Sequence, residues 1–351
     1  MPTSGTVGVT TFTNQQIIDH AFRRCKLVEQ QITGEHLQIA LELLWLFTQT
    51  LVNKGIKLWN VVPIILPLYE REQTVPLPVG TEDTFTINLR TSNRVTGQAT
   101  ASEGVAGNAF DGDVTTACVQ TLPLGTITME LTTPTAMWTF GILPNAAGTW
   151  SYVIEASTDG ITYLPLITVV DATVVAGEWI WADVQGVTAY SFYRLRATGT
   201  TILDVTELVY QNTPQEIPMY KLNRNDYANL PDKVSTGRPT QFWYDRQRSI
   251  PQLEVWPSPA FQFTFAQVTG FVQRQLQDVG AMTDELEVPD RWYLAIVCEL
   301  ARQCSREIKE VDLAQLPNID TDADKYLKDA WDGETDESTA FLRPNIAPYT
   351  R

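Results

Sequence analysis

Residues 84–104 read TFTINLRTSNRVTGQATASEG, and within them the chain changes texture. Thr84 to Leu89 alternates as a half-buried strand does. From about residue 90 to residue 212 the text is rich in Thr, Val, Gly and aromatic residues and contains no lysine. Short β-type runs at 126–131, 137–143, 152–157, 163–169, 178–183, 190–197 and 204–210 are separated by turn signals. Asp159-Gly160 is a hairpin signal between two of them. The pattern predicts an all-β sandwich inserted into a mainly helical host.

Working outward, Thr13-Asn14-Gln15-Gln16 matches a capping box, and Ile17, Ile18, Ala21, Phe22 and Cys25 mark one helical face behind it. A second helix opens near Thr33-Gly34-Glu35 and carries Leu37, Ala40, Leu41, Leu44, Trp45, Thr48, Leu51 and Val52 at helical spacing. Lys54 suits its last turn and Gly55 its terminating position. The two helices are expected to pair antiparallel. Pro63, Pro67 and Pro76 restrict the following extended stretch to edge strands or loops.

After the insert, Thr240 to Arg246 and Gln252 to Trp256 form a hairpin candidate, and Phe261 to Gln273 reads as an alternating run with Phe261, Phe263 and Phe265 on one face. Helical spacing resumes at Val288-Pro289-Asp290, with a shorter helix expected from Asp322 to Trp331. The expected fold class is α+β: a helical core with a small β part, plus an inserted all-β jelly-roll sandwich. Its divisions are residues 1–89, first half of the core; 90–212, the sandwich; 213–332, second half of the core; and 333–351, an extended C-terminal arm. That arm is either an unstructured end or a segment that orders on a neighbour through Phe341, Leu342, Arg343 and Tyr349.

Composition bounds the function. The net charge of −16 argues against a surface that grips nucleic acid, which needs clustered Lys and Arg. It suits either simple solubility or the wall of a channel that DNA must slide through. No apolar run is long enough to span a bilayer, and the N-terminal residues show neither the basic nor the apolar part of a signal peptide. Cys25, Cys118, Cys298 and Cys304 form no CxxC pair and are expected to be reduced thiols of a protein made in a cytoplasm. No phosphate loop, Gly-x-Ser-x-Gly elbow or His-Glu-x-x-His is present, so no enzyme is expected.

Two resemblances follow from these residues. Gly55 to Trp59, the Tyr220–Leu230 stretch YKLNRNDYANL, Phe242 to Gln247, Leu253 to Pro259 and the helix opened by Val288-Pro289 resemble the head-to-tail adaptor proteins of short-tailed phages. The resemblance implies a structural virion protein at the head-tail junction, synthesised in the host cytoplasm. It implies a ring, dodecameric in that family, docked beneath the portal protein and continuing the DNA channel. Tail nozzle or fibre proteins would bind below, and the C-terminal arm (Phe341, Leu342, Arg343, Tyr349) would reach the portal. DNA would pass without sequence-specific contact.

Within the insert, Ala109-Phe110-Asp111-Gly112-Asp113-Val114-Thr115-Thr116, the Ser157-Thr158-Asp159-Gly160 hairpin, YSFYRLR at 190–196 and Val205-Thr206-Glu207-Leu208 resemble a discoidin, or coagulation factor C-terminal type, domain. That family implies a galactose-binding-like jelly roll, with glycan or lipid held by loops at one end. It also implies a structural Ca²⁺ for which Asp111, Asp113, Thr116 and Glu207 would supply hard oxygens, unless Asp-Gly-Asp is simply a tight turn. No other cofactor is expected. Cys118 stands where the family usually has Trp. Trp138, Trp150, Trp179 and Trp181 are candidate sugar-stacking rings, or core. The insert is thus a peripheral bracing module or, alternatively, a tail-associated glycan-binding, lectin-like module. A second alternative for the whole chain is a cell-wall-degrading tail enzyme.

Overall fold

The computed structural model describes residues 11–53, 58–184, 188–311 and 313–334. The chain divides into two compact units, one formed by residues 1–62 and 273–351, the other by residues 63–272.

The first unit is helical. Its helices are α1 (Asn14–Arg24), α2 (Gly34–Asn53), α4 (Asp290–Glu307) and α5 (Leu316–Asp332). The capping box that opens α1 is complete: Gln16 N–H donates to the Thr13 hydroxyl at 3.3 Å, and Thr13 N–H donates to Gln16 Oε1 at 3.1 Å. These bonds satisfy backbone donors that a helix start leaves unpaired. Buried Asn14 then donates its amide to the carbonyls of Val279 (2.5 Å) and Ala281 (2.8 Å). One polar residue thereby pins the N-terminal helix to a segment that follows the insert. The expected antiparallel α1–α2 pair is secondary to a different arrangement, in which α4 packs against α1, α2 and α5. Its apolar stripe (Trp292, Ile296, Leu300 and Cys304) meets Ile17, Phe22, Leu44 and Phe47 in a single core. Helix α5 starts six residues earlier than expected. Pro317 in its first turn looks like a stop but needs no donor there, and Ile319, Ala323, Leu327 and Ala330 bury one face at helical spacing. Lys54 and Gly55, expected to end α2, lie outside the described residues.

The second unit is mostly β. Its largest sheet orders β1 (Val61–Pro67), β18 (Gln267–Arg274), β3 (Thr81–Arg94), β12 (Asp204–Pro218), β7 (Thr139–Pro144) and β10 (Ile180–Asp183), with β5 (Cys118–Val119) pairing off β12. Proline-marked β1 is at its edge, as a strand short of donors must be. A second sheet orders β4 (Gln98–Ala101), β6 (Thr126–Thr135), β11 (Tyr190–Ala197), β8 (Gly148–Ser157) and β9 (Leu164–Val174). The two face each other as an antiparallel sandwich. Phe140 and Tyr210 of the first sheet lie 6.0 and 6.2 Å from Tyr193 of the second, among buried Ile127, Leu195, Val205 and Leu208.

A third sheet orders β13 (Tyr220–Leu222), β15 (Gln241–Asp245), β16 (Gln252–Trp256) and β2 (Thr74–Pro76), so a strand from before the insert pairs with one from after it. The short helix α3 (Arg224–Ala228) follows β13, and β14 (Thr236–Gly237) pairs with β17 (Ser258–Pro259).

Two expectations are corrected here. The β part of the host is not small, because β3 and β12 continue past the sandwich in the same sheet as β18 and β1. The run Phe261 to Gln273 is not one strand. Phe261–Phe263 is a 3-10 turn, Phe265 takes φ 63°, and β18 begins only at Gln267. Phe261 consequently points to solvent while Phe265 is fully buried.

Candidate functional site

Where β3 and β12 leave the sandwich, their pairing slips. Asn93 faces Asn212, but Thr91 faces Gln215, with the register shift between Asn212 and Gln215. The extra residues form a bulge in which Thr213 adopts φ 40°, a left-handed conformation uncommon outside Gly, Asn and Asp. Beside this bulge is a groove of about 360 Å³, lined by Thr91, Ser92, Asn93, Thr213, Gln215, Gln262, Phe263 and Ala266. The lining residues carry hydroxyls and carboxamides, one aromatic ring and no charge. Ser92 Oγ is buried without a hydrogen-bond partner. Neutral donors and acceptors at close range, with a ring beside them, can hold a polyhydroxyl molecule; they supply no charge to balance a phosphate or a metal ion. No spacing in the sequence announced this groove, since its residues come from three separate stretches and share only neutrality.

Beside the neck is an aromatic junction. Buried Phe265 packs on Tyr69 (5.9 Å) and Trp179 (5.5 Å), and the Arg94 guanidinium lies 5.1 Å from its ring centre. Trp179 stacks on Trp181 at 4.8 Å and 13°, and its indole N–H donates to the Tyr69 hydroxyl at 2.7 Å. Gln211 donates to the Phe265 carbonyl at 2.8 Å. The candidate sugar-stacking rings are therefore occupied: Trp179 and Trp181 bind each other and the junction, and Trp150 is 5% exposed in the sandwich. Trp138 is partly buried.

In the structure the oxygens of the candidate calcium ligands are engaged in hydrogen bonds and an ion pair. Asp111 Oδ1 accepts from Asp113 N–H (2.8 Å), and Asp111 Oδ2 accepts from the Thr116 hydroxyl (2.8 Å). Asp113 Oδ1 accepts from both the N–H and the hydroxyl of Thr115 (2.9 and 2.7 Å). Such bonds are those of Asx turns, and those of Thr115 hold the Asp113 carboxyl below its ordinary value. Glu207, fully buried, is ion-paired with Arg94 and accepts from Gly112 N–H at 2.9 Å. Burial pushes its carboxyl up, to about 8, against the pull of Arg94. Among the described residues no group of three or more His, Cys, Asp or Glu is placed to hold a metal ion.

The Ser157-Asp159-Gly160 hairpin is tightly tied. Asp159 Oδ1 accepts from Ile161 N–H (2.9 Å), Thr162 N–H (2.9 Å) and the Ser157 hydroxyl (2.8 Å). The four cysteines are free thiols, all buried. Among the described residues no helix is long and apolar enough to cross a membrane. Phe341, Leu342, Arg343 and Tyr349 lie outside the described residues.

No family model matches the sequence, and no curated protein does. Solved structures with a similar sandwich include three carbohydrate-binding or discoidin-type modules. The family 62 carbohydrate-binding module of Clostridium thermocellum Xyl5A is 18% identical, with 34% of this chain and 97% of that one covered, at a TM-score of 0.31. The fifth family 32 module of a Clostridium perfringens family 89 enzyme, solved with GalNAc-β-1,3-galactose, is 20% identical over 32% of this chain and 93% of its own, at 0.29. An F5/8 type C domain of a Bacteroides fragilis protein is 14% identical over 35% and 97%, at 0.31.

Proposed function

We propose that this chain is a non-enzymatic binding protein that takes up a neutral glycan where its discoidin-type sandwich joins the rest of the chain. The observation that supports the reading is the uncharged groove at the neck, with hydroxyls and carboxamides from Thr91, Ser92, Asn93, Gln215 and Gln262 beside the Phe263 ring. Hydrogen bonds to neutral partners give modest affinity each, so millimolar to micromolar binding of a mono- or disaccharide is expected. Titration of the full chain with a panel of neutral sugars, followed by NMR, tests this. Asn93→Ala with Gln215→Ala should weaken binding about tenfold, as the loss of one to two hydrogen bonds does. A panel silent at tens of millimolar sugar would remove the reading.

For the rest of the chain, we infer an adaptor role. Stretches on either side of the insert complete one another: Asn14 on the segment at 279–281, α1 and α2 on α4, and β2 on β16. A host fold closed across a long insertion fits the resemblance to head-to-tail adaptors, with a ring beneath a portal protein, DNA passing through it, and tail nozzle or fibre proteins below. Native mass measurement of the chain with and without a portal protein tests this. A chain that stays monomeric and never associates with portal would sink the adaptor role while leaving the glycan reading intact.

A further inference from the structure

Between α1 and α4 of the helical unit is an open apolar groove of about 430 Å³, walled by Phe12, Ile17, Tyr293, Leu294 and Val297. Leu294 is 44% exposed on the α4 wall of this groove. Phe12 is held edge-on to His20 and tilted on Tyr293 at 5.3 Å, so one end wall is an aromatic cluster. Asp290 lines the groove with a carboxylate, His20 with an imidazole and Arg24, ion-paired with Asp322, with a guanidinium.

The described chain ends against α4, the helix that forms one wall of this groove. Buried Glu334 is ion-paired with Arg291 and accepts from the Trp292 indole N–H at 3.0 Å. Arg291 and Leu294 are three residues apart on α4, so they share a face and are separated by about one helical turn, roughly 5 Å. Phe341 and Leu342 follow Glu334 by seven and eight residues, and seven extended residues reach about 23 Å. The α4 wall of the groove, within roughly two turns of Arg291, is inside that radius. Arg343 comes next, opposite in sign to Asp290.

We propose that the groove between α1 and α4 is the docking site of the chain's own segment around Phe341-Leu342, with Arg343 against Asp290. The segment enters from the Glu334 anchor, covers Leu294 and places its two large apolar side chains against Phe12, Tyr293 and Val297. Docked in this way, the apolar anchors of the arm are shielded until a partner offers a better surface. The proposal is independent of the glycan reading and of the adaptor role.

Photocrosslinking of the full chain tests it. With p-benzoylphenylalanine in place of Phe341, crosslinks are expected within the monomer-mass species and onto α1 and α4 at the groove. Leu294→Glu should cut their yield about tenfold, by removing an apolar contact and burying a charge. The reciprocal label, at Leu294 in an otherwise unchanged chain, should capture the peptide that contains Phe341 and Leu342. Crosslinks from Phe341 to other surfaces would overturn the proposal, as would capture of residues 1–10 by the label at Leu294. Crosslinks found only in dimer-mass species, and rising with concentration, would assign the groove to a second copy and overturn docking within one chain.

Discussion

Replacing Phe265 by Ala tests the reasoning about the neck most directly. The side chain is fully buried, between Tyr69, Trp179 and the Arg94 guanidinium. Truncating a buried Phe to Ala costs about 3–5 kcal/mol, from lost transfer energy and the cavity left behind. Phe265 also sits at φ 63°, where any residue with a Cβ carries about 1–2 kcal/mol of backbone cost. Ala keeps that cost and Gly does not, so Phe265→Gly should be more stable than Phe265→Ala by about 1 kcal/mol despite its smaller side chain. In a unit of this size, residues 63–272, each kcal/mol moves the melting temperature by about 2–4 °C, so the Ala variant should melt about 10 °C lower. Thermal melts followed by near-ultraviolet circular dichroism serve as the assay, because the stacked Trp179–Trp181 pair should lose its coupled signal when the Phe265 support is gone. An Ala variant within about 1 kcal/mol of the parent would refute the junction's packing. A Gly variant less stable than the Ala variant would refute the left-handed backbone at this position.

Gly141→Ala should displace the same tryptophan pair from the other side. An added Cβ would lie 2.3 Å from Trp181 Cζ3, and such overpacking costs about 1–3 kcal/mol, readable as a lower urea midpoint. Thr13→Ala removes the side-chain half of the capping box and should cost the helical unit about 1 kcal/mol, with faster amide exchange at Gln16; unchanged exchange there would show that the cap does not hold α1. Asp159 has its carboxyl depressed to about 2 by hydrogen bonds from Thr162 and Ile161 N–H and the Ser157 hydroxyl. A depressed carboxyl contributes stability above its ordinary value of 3.8, and that stability is lost as pH falls toward 2. Carbon-detected NMR titration should therefore find the Asp159 midpoint well below those of exposed aspartates. A midpoint at the ordinary value would mean the hairpin bonds are not made.

Much of the local structure is legible because its causes are local. The capping box at Thr13 to Gln16, the i, i+3/i+4 stripe of α4 from Trp292 to Cys304, and the alternating strand at 190–197 are set by neighbouring residues and one dominant period. Asp159-Gly160 is legible for the same reason, since its turn bonds lie within five residues. Local reading fails at the start of α5, placed at Asp322 although Pro317 stands in its first turn and Ile319, Ala323 and Leu327 bury one face. It fails again at Phe265, whose neighbours Phe261 and Phe263 suggest a strand that the left-handed backbone interrupts.

The candidate sites depend on distance along the chain. The neck groove needs Thr91, Gln215 and Gln262 together, and the junction needs Tyr69, Arg94, Trp179 and Phe265. No period or spacing links these positions, so only the path of β3 and β12 through a shared sheet brings them into contact. Trp179 and Trp181, two residues apart, stack on each other, yet nothing in their spacing says that they face Phe265 rather than solvent. Short-range hydrogen bonding and side-chain periodicity decide which residues form helices, turns and strands. Which faces are then buried, and against what, is decided by packing between segments a hundred or more residues apart. That is why the β character of residues 90–212 could be read directly, while the continuity of its sheet with the host could not.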